Sequence, residues 1–166
     1  MRKNFFNSKG FTLVEMLVVV AIIAILASIF LVGLRGFRGS AYDSKRLADL
    51  QRVQSYLEIY YNKNRAYPTG ITTWSGSATS LEVALKNASI GITSIPNDPQ
   101  FASDNTKNYG YKPCDGGQGY VISALISKDS SSFKDAPAVD ETNCDTGTGF
   151  TCGAEVGGLK RYCVGS

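Results

Sequence analysis

The hydrophobic residues of this chain are concentrated in one uninterrupted segment near its N-terminus. Residues 11–34 read FTLVEMLVVVAIIAILASIFLVGL and contain a single charged residue, Glu15. As a helix, this segment would extend about 36 Å, which exceeds the roughly 30 Å thickness of the hydrocarbon core of a membrane. We therefore predict a helix whose first part spans a membrane.

The segment after residue 34 keeps a helical period but becomes amphipathic. Apolar residues recur there at spacings of three and four positions, as on one face of a helix, and charged residues lie between them. The apolar positions are Leu47, Leu50, Val53, Leu57 and Tyr60. We predict one continuous helix over about residues 11–62, in which the amphipathic part, residues 35–63, packs on a globular head.

Three glycines lie three residues apart within this predicted helix. Gly33, Gly36 and Gly39 would each cost up to about 1 kcal/mol relative to Ala in a helix interior. Two interpretations remain open. The glycines form a small-residue face for close helix packing, or they mark a weak segment that melts when subunits assemble.

The predicted head, residues 64–166, begins where the composition shifts to Gly, Ser, Thr, Asn and Asp. Residues 80–86 predict a short helix with Ser80 as its N-cap. Aromatic and β-branched residues predict strands at residues 108–112, 120–126 and 160–164. A meander of such strands presents one apolar face, which the amphipathic helix would cover. The predicted fold class is therefore α+β.

Charge is distributed unevenly along the 166 residues. Arg2, Lys3 and Lys9 carry the whole formal net charge of +3, and the rest of the chain balances 14 basic against 14 acidic residues. A remainder with no net charge argues against a surface that binds nucleic acid. The absence of His removes the commonest general base and neutral metal ligand, which argues against catalytic triads and most zinc sites. The basic start favours an N-terminus inside the cell and an exported remainder.

A specific motif lies where the basic N-terminus meets the apolar segment. Residues 9–17 read KGFTLVEML, which resembles the prepilin processing motif of type IV pilins and pseudopilins. The resemblance implies that residues 1–10 are a leader, that a prepilin peptidase of the membrane cuts after Gly10, and that the new terminal amine, on Phe11, is methylated. Glu15, one helical turn further on, would then pair with the Phe11 ammonium of a neighbouring subunit during assembly.

The function implied by this resemblance is structural and not enzymatic. The chain would be the major pilin of a type IV pilus, first anchored in the inner or cytoplasmic membrane and then polymerised with identical subunits at the cell surface. Its partners would be the membrane, the prepilin peptidase and the pilus or secretion assembly machinery. Two alternatives remain open: a major pseudopilin of a type II secretion system, and a membrane-tethered, exported binding module.

Four cysteines occupy the last third of the chain. Cys114, Cys144, Cys152 and Cys163 are even in number, and export favours two disulfides, of which three pairings remain open. Their spacing differs from that of a zinc ribbon. A Cys-rich C-terminus is common on exposed pili, whereas the PNDP sequence at residues 96–99 resembles pseudopilins.

Acidic residues crowd the same C-terminal loops. They are Asp115, Asp129, Asp135, Asp140, Glu141 and Asp145. Some major pseudopilins bind calcium in this part of the head, but the acids here lack the alternating spacing of an EF-hand. We predict no cofactor, with calcium in the head as the alternative. Asn87 begins a glycosylation triplet, which is a weak signal.

Overall fold

The computed structural model describes residues 10–102, 107–128, 130, 139–145 and 149–166, with residues 30–37 described by their backbone alone. The chain divides into two compact units, Met1–Arg38 and Gly39–Ser166. A short 3₁₀-helix lies at Asp115–Gly117. Two α-helices and four strands make up the rest of the regular structure of the described residues. They are α1 (Leu13–Asn64), α2 (Leu81–Asn87), β1 (Gly110–Cys114), β2 (Gly119–Ser127), β3 (Glu155–Val156) and β4 (Leu159–Gly165). This combination confirms the predicted α+β class.

Helix α1 confirms the long helix predicted from hydrophobic periodicity. Its backbone is helical at Gly33, Gly36 and Gly39, so melting of this segment on assembly stays a prediction. The helix ends because Arg65 adopts a left-handed conformation with φ 61°, and its N–H donates to the carbonyl of Tyr61 at 2.7 Å. A left-handed residue after the last turn is a common helix stop.

The buried face of α1 in the second unit differs from the predicted apolar stripe. Leu50, Val53 and Leu57 are buried as predicted, but Leu47 and Tyr60 are only partly buried. Three charged residues, Asp43, Arg46 and Asp49, belong to the buried face as well. Tyr60 still packs against the main core, and the predicted stripe is incomplete because a charged residue with a polar partner can also be buried.

The sheet is antiparallel throughout, with the strand order β1-β2-β4-β3. Strands β1, β2 and β4 confirm the three predicted strands, and the two-residue β3 was not predicted. Eight of the nine residues of the central strand β2 are buried, so both faces of the sheet are covered. The expectation of a single apolar face was therefore wrong.

Alternate residues of β2 pack into two different cores. Tyr120, Ile122 and Ala124 join the main core together with α1 and α2, while Val121 joins a smaller core on the other face. The smaller core consists of Cys114, Val121, Cys144, Phe150 and Cys163. The C-terminal loops thus form the second layer over the sheet.

Helix α2 confirms the short helix predicted from SLEVALK. The Ser80 hydroxyl accepts a hydrogen bond from the backbone N–H of Val83 at 3.4 Å, as expected of an N-cap. Leu81 and Leu85 are fully buried in the main core. The helix ends at Asn87, which is exposed, and its glycosylation stays a prediction.

Candidate processing and assembly site

Gly10 and Phe11 precede the first turn of α1 and lie outside regular secondary structure. Phe11 is 77% exposed, and a Cβ atom at Gly10 would meet no other atom within 4 Å. Accessible segments of this kind are where proteases cut. The peptide bond between the two residues is thus sterically open, and its cleavage stays a prediction. The leader residues Arg2, Lys3 and Lys9 lie outside the described residues.

Glu15 forms a capping box with Thr12 at the start of α1. The backbone N–H and the hydroxyl of Thr12 both donate to Oε2 of Glu15 at 2.8 Å. In return, the N–H of Glu15 donates to the Thr12 hydroxyl at 3.2 Å. This reciprocal pattern satisfies backbone donors that have no partner inside the helix. Glu15 therefore has a local structural role besides the predicted pairing with Phe11.

The capping role was missed at the sequence level, although a signal was present. Thr12 and Glu15 fit the pattern of Ser or Thr followed three residues later by an acid, directly before an apolar segment. The resemblance to the processing motif concerns the charge of Glu15, whereas the capping role follows from its spacing from Thr12. The contacts between Thr12 and Glu15 fix the first turn of α1 directly after the predicted methylation position, Phe11.

All side chains from residue 10 to residue 29 are exposed in the first unit. Most are large and apolar, with Leu13 and Val14 at 81% and 69% exposure. Continuous exposed apolar surface of this kind marks a site of interaction with other protein or with a membrane. Within the described residues, no helix combines the length and apolar content needed to cross a membrane. The membrane span predicted for residues 11–34 is therefore not confirmed.

Both predicted disulfides are present, and their pairing is now defined. Cys114 bonds to Cys144, and Cys152 bonds to Cys163. The first bond attaches the loop after β2 to the end of β1, and the second ties β4 to the loop before β3. Each closes a loop in a part of the chain with little apolar content, where cross-links compensate for a small core.

The acidic C-terminal loops gather next to the first disulfide. Asp115 and Asp140 line a cavity of about 250 Å³ together with Cys114 and Tyr120. No group of three His, Cys, Asp or Glu side chains among the described residues is arranged to hold a metal ion. Asp129 and Asp135 lie outside the described residues, and calcium binding stays untested.

One comparison with known proteins identifies the N-terminal segment. Residues 5–31 match the family described as the prokaryotic N-terminal methylation motif. No curated protein matches the chain, and no solved structure matches it. The matched residues cover the predicted cleavage position, the capping box and the exposed apolar turns of α1. The chain therefore carries the N-terminal signature of type IV pilins and pseudopilins.

Proposed function

We propose that this chain is the major structural subunit of a type IV pilus filament. The observation that carries the proposal is the methylation motif at residues 5–31, placed on an accessible helix start that leads into an exposed apolar helix. In the proposed sequence of events, a prepilin peptidase removes residues 1–10 and the amine of Phe11 is methylated. The mature chain then polymerises through residues 11–34.

Before assembly, the apolar segment holds the precursor in the inner or cytoplasmic membrane with its N-terminus inside. The exposed apolar side chains from residue 11 to residue 29 support this anchor, because transferring such surface out of water is favourable. After assembly the same surface is buried against identical subunits. The head lies on the exported side, where the two disulfides are stable.

The alternative of a secretion pseudopilin shares every step up to polymerisation. The two functions differ in where the polymer accumulates and in what its loss impairs. Filaments sheared from the outer surface of cells, with normal protein secretion in a deletion strain, support the pilus. A secretion defect without surface filaments supports the pseudopilin.

The proposal is tested by mass spectrometry of filaments sheared from the cell surface. We expect an N-terminal peptide that begins at Phe11 and carries a methyl group on its amine. Assembled material that still contains the Met1 leader would contradict the proposal. It would favour the membrane-tethered binding module instead.

Substitutions of Glu15 separate its two roles. Gln can replace Glu in a capping box, so Glu15→Gln keeps the start of α1 and removes only the charge, whereas Glu15→Ala removes both. If pairing with the Phe11 ammonium is required, filaments are lost in both variants. If capping alone is required, Glu15→Gln assembles normally, which would refute the pairing.

A further inference from the structure

One face of α1 in the second unit is exposed and has no partner among the residues that the structure describes. It carries Tyr42, Lys45, Arg52 and Ile59, which we call the outer face. The last three are spaced seven residues apart and so lie along one line on the helix. Tyr42 and Ile59 are 38% and 47% exposed, and both basic residues are exposed.

The two basic residues of the outer face are uncompensated. Neither Lys45 nor Arg52 forms an ion pair with any described residue. Between them lies the small residue Ala48, which is also exposed and lets another surface approach the helix closely. Apolar side chains mixed with unpaired Lys and Arg form a surface suited to an acidic protein partner.

An acidic surface of matching character lies around the Cys114–Cys144 disulfide. The N–H of Asp115 donates to the carbonyl of Asn143, and the N–H of Asp145 donates to the carbonyl of Pro113, both at 3.0 Å. These bonds place Asp115 and Asp145 on the two sides of the disulfide. Asp140 lines the same cavity as Asp115. We call these three aspartates the acidic edge.

The acidic edge is also uncompensated among the described residues. All three carboxylates are exposed, and none forms an ion pair there. Hydrogen bonds from the Thr142 hydroxyl and N–H lower the pKa of Asp140, which keeps it charged. By contrast, the neighbouring Glu141 is paired with Lys112 at 2.9 Å. Among the described acids of these loops, the ones without an ion pair are therefore the three aspartates of the acidic edge.

The outer face and the acidic edge of one chain cannot contact each other. Helix α1 packs on the sheet face that contains Ile122, whereas Cys114 and Cys144 belong to the smaller core on the opposite face. Complementary surfaces on opposite sides of one unit can pair only between copies. Such a contact is heterologous, and repeated heterologous contacts that do not close into a ring generate a filament.

We propose that the outer face of α1 in one copy docks on the acidic edge of a second copy. This inference rests on the proposed filament and specifies one contact within it. The helix supplies Lys45 and Arg52 as cations, with Tyr42 and Ile59 as apolar contacts beside them. The second copy supplies Asp115, Asp140 and Asp145. The contact orients successive heads, while the apolar N-terminal segments associate separately.

The test uses the full chain in its native host, with sheared filaments as the readout. Lys45→Gln/Arg52→Gln removes two positive charges from the outer face. The matched control, Ser44→Glu/Gln51→Glu, changes the net charge equally but on a neighbouring exposed face of the same turns. We expect roughly tenfold fewer filaments in the first variant and little change in the control.

Charge reversal adds a rescue experiment. Lys45→Glu/Arg52→Glu places acids against the acidic edge, and we expect almost no filaments because like charges across an interface are strongly unfavourable. Combining it with Asp115→Asn/Asp145→Lys relieves the repulsion and is expected to restore part of the yield. Asn is used at position 115 because the backbone there is left-handed, with φ 49°, which Asn tolerates.

The filament yields of the wild type and the variants distinguish failure of the proposed function from failure of the docking contact. If the wild type forms no surface filaments with methylated Phe11, the proposed function fails. If wild-type filaments form but the Lys45 and Arg52 variants match the control, only the docking contact is refuted. It is also refuted if Asp115→Asn/Asp145→Lys alone abolishes filaments while the Lys45 and Arg52 variants assemble normally. The acidic edge would then have another occupant, such as a divalent cation.

Discussion

Arg46 on α1 and Asp98, in the segment after α2, form a buried ion pair in which Nε donates to Oδ2 at 2.6 Å. Nη2 of Arg46 also donates to Oδ1 of Asp98 at 3.1 Å, and Nη1 donates to Oδ1 of Asp43 at the same distance. Burial lowers the pKa of Arg46, but hydrogen bonds and charge from Asp98 and Asp43 outweigh it and raise that pKa above its usual range. The pair links the helix to residues far away in sequence.

We predict that removing Arg46 destabilises the head more than neutralising Asp98 does. Arg46→Met leaves two buried carboxylates without a cation, which costs about 3–5 kcal/mol. Asp98→Asn costs less, because Arg46 keeps Asp43 and the Gln100 amide oxygen, to which it donates at 2.9 Å. The free energy of unfolding in urea measures both effects.

An exposed pair on α2 provides the control for this prediction. Lys86 and Glu82 form an ion pair at 2.9 Å with partly exposed side chains, and solvated pairs at this helical spacing contribute only about 0.3–0.5 kcal/mol. Lys86→Ala is therefore expected to have a small effect. A similar loss for Lys86→Ala and Arg46→Met would contradict the structural role of the buried pair.

The elements of the fold could be predicted from sequence more fully than their contacts. Periodicity and composition were sufficient to predict α1, α2 and the three longer strands, because these signals are local. The burial of Arg46 was not predictable, because its main partner, Asp98, is 52 residues away and charged residues are normally exposed. Strand β3 has two residues, which is too short for any pattern, and it exists only because β4 pairs with it.

The candidate site shows the same division between local and distant information. The processing motif could be recognised in the sequence because its residues are contiguous. The disulfide pairing was not, since four cysteines allow three arrangements and only the folded loops bring Cys114 to Cys144. The second core around Phe150 depends on this pairing, so the covering of the second sheet face could not be inferred either.

The two disulfides are predicted to contribute unequally to stability. The Cys114–Cys144 bond joins residues 30 positions apart, and the Cys152–Cys163 bond joins residues 11 apart. If a disulfide stabilises the fold by lowering the chain entropy of the unfolded state, the bond that closes the longer loop contributes more to the free energy of unfolding. The two contributions are then about 3–4 kcal/mol and about 2–3 kcal/mol. We expect Cys114→Ser/Cys144→Ser to lower the free energy of unfolding more than Cys152→Ser/Cys163→Ser.

Peptide mapping without reduction provides the control for the disulfide comparison. Each double variant should retain the other bond intact in the map. An equal or reversed order of stabilities with both maps correct would show that loop closure does not determine the difference. A map with Cys114 bonded to Cys152 or Cys163 would contradict the pairing itself.

Stability of the head is predicted to fall at alkaline pH through its buried tyrosines. Burial raises the pKa of Tyr120 to about 12 from the ordinary value of 10.0, so the folded state disfavours the tyrosinate. The stabilisation is fully present below pH 10 and is lost as pH rises towards 12, because the unfolded chain releases the proton first. Burial also raises the pKa values of Tyr109 and Tyr111, which adds to the effect.

The measurement is the free energy of unfolding as a function of pH, with Tyr120→Phe as the comparison. The variant lacks one titrating group, so its stability should decline less steeply between pH 10 and pH 12 than that of the wild type. Parallel pH profiles for the two proteins would contradict the contribution of Tyr120. Tyrosinate absorbance in the folded state gives an independent reading of the raised pKa.

The contact between Gly110 and Phe150 yields a prediction for the smaller core. A Cβ atom on Gly110 would lie 2.5 Å from Cε1 of Phe150 and 2.6 Å from the hydroxyl oxygen of Ser123. Gly110→Ala must therefore displace the ring, which also contacts Lys112, whose Nζ lies 4.4 Å from the ring centroid. Overpacking of this kind costs about 1–3 kcal/mol, measurable by urea denaturation.

Gly39→Ala on α1 is the control, because a Cβ there meets nothing within 4 Å and Ala stabilises a helix interior by about 0.5–1 kcal/mol. Opposite signs for the two substitutions are expected, and a neutral or stabilising Gly110→Ala would show that the Phe150 ring does not occupy this position.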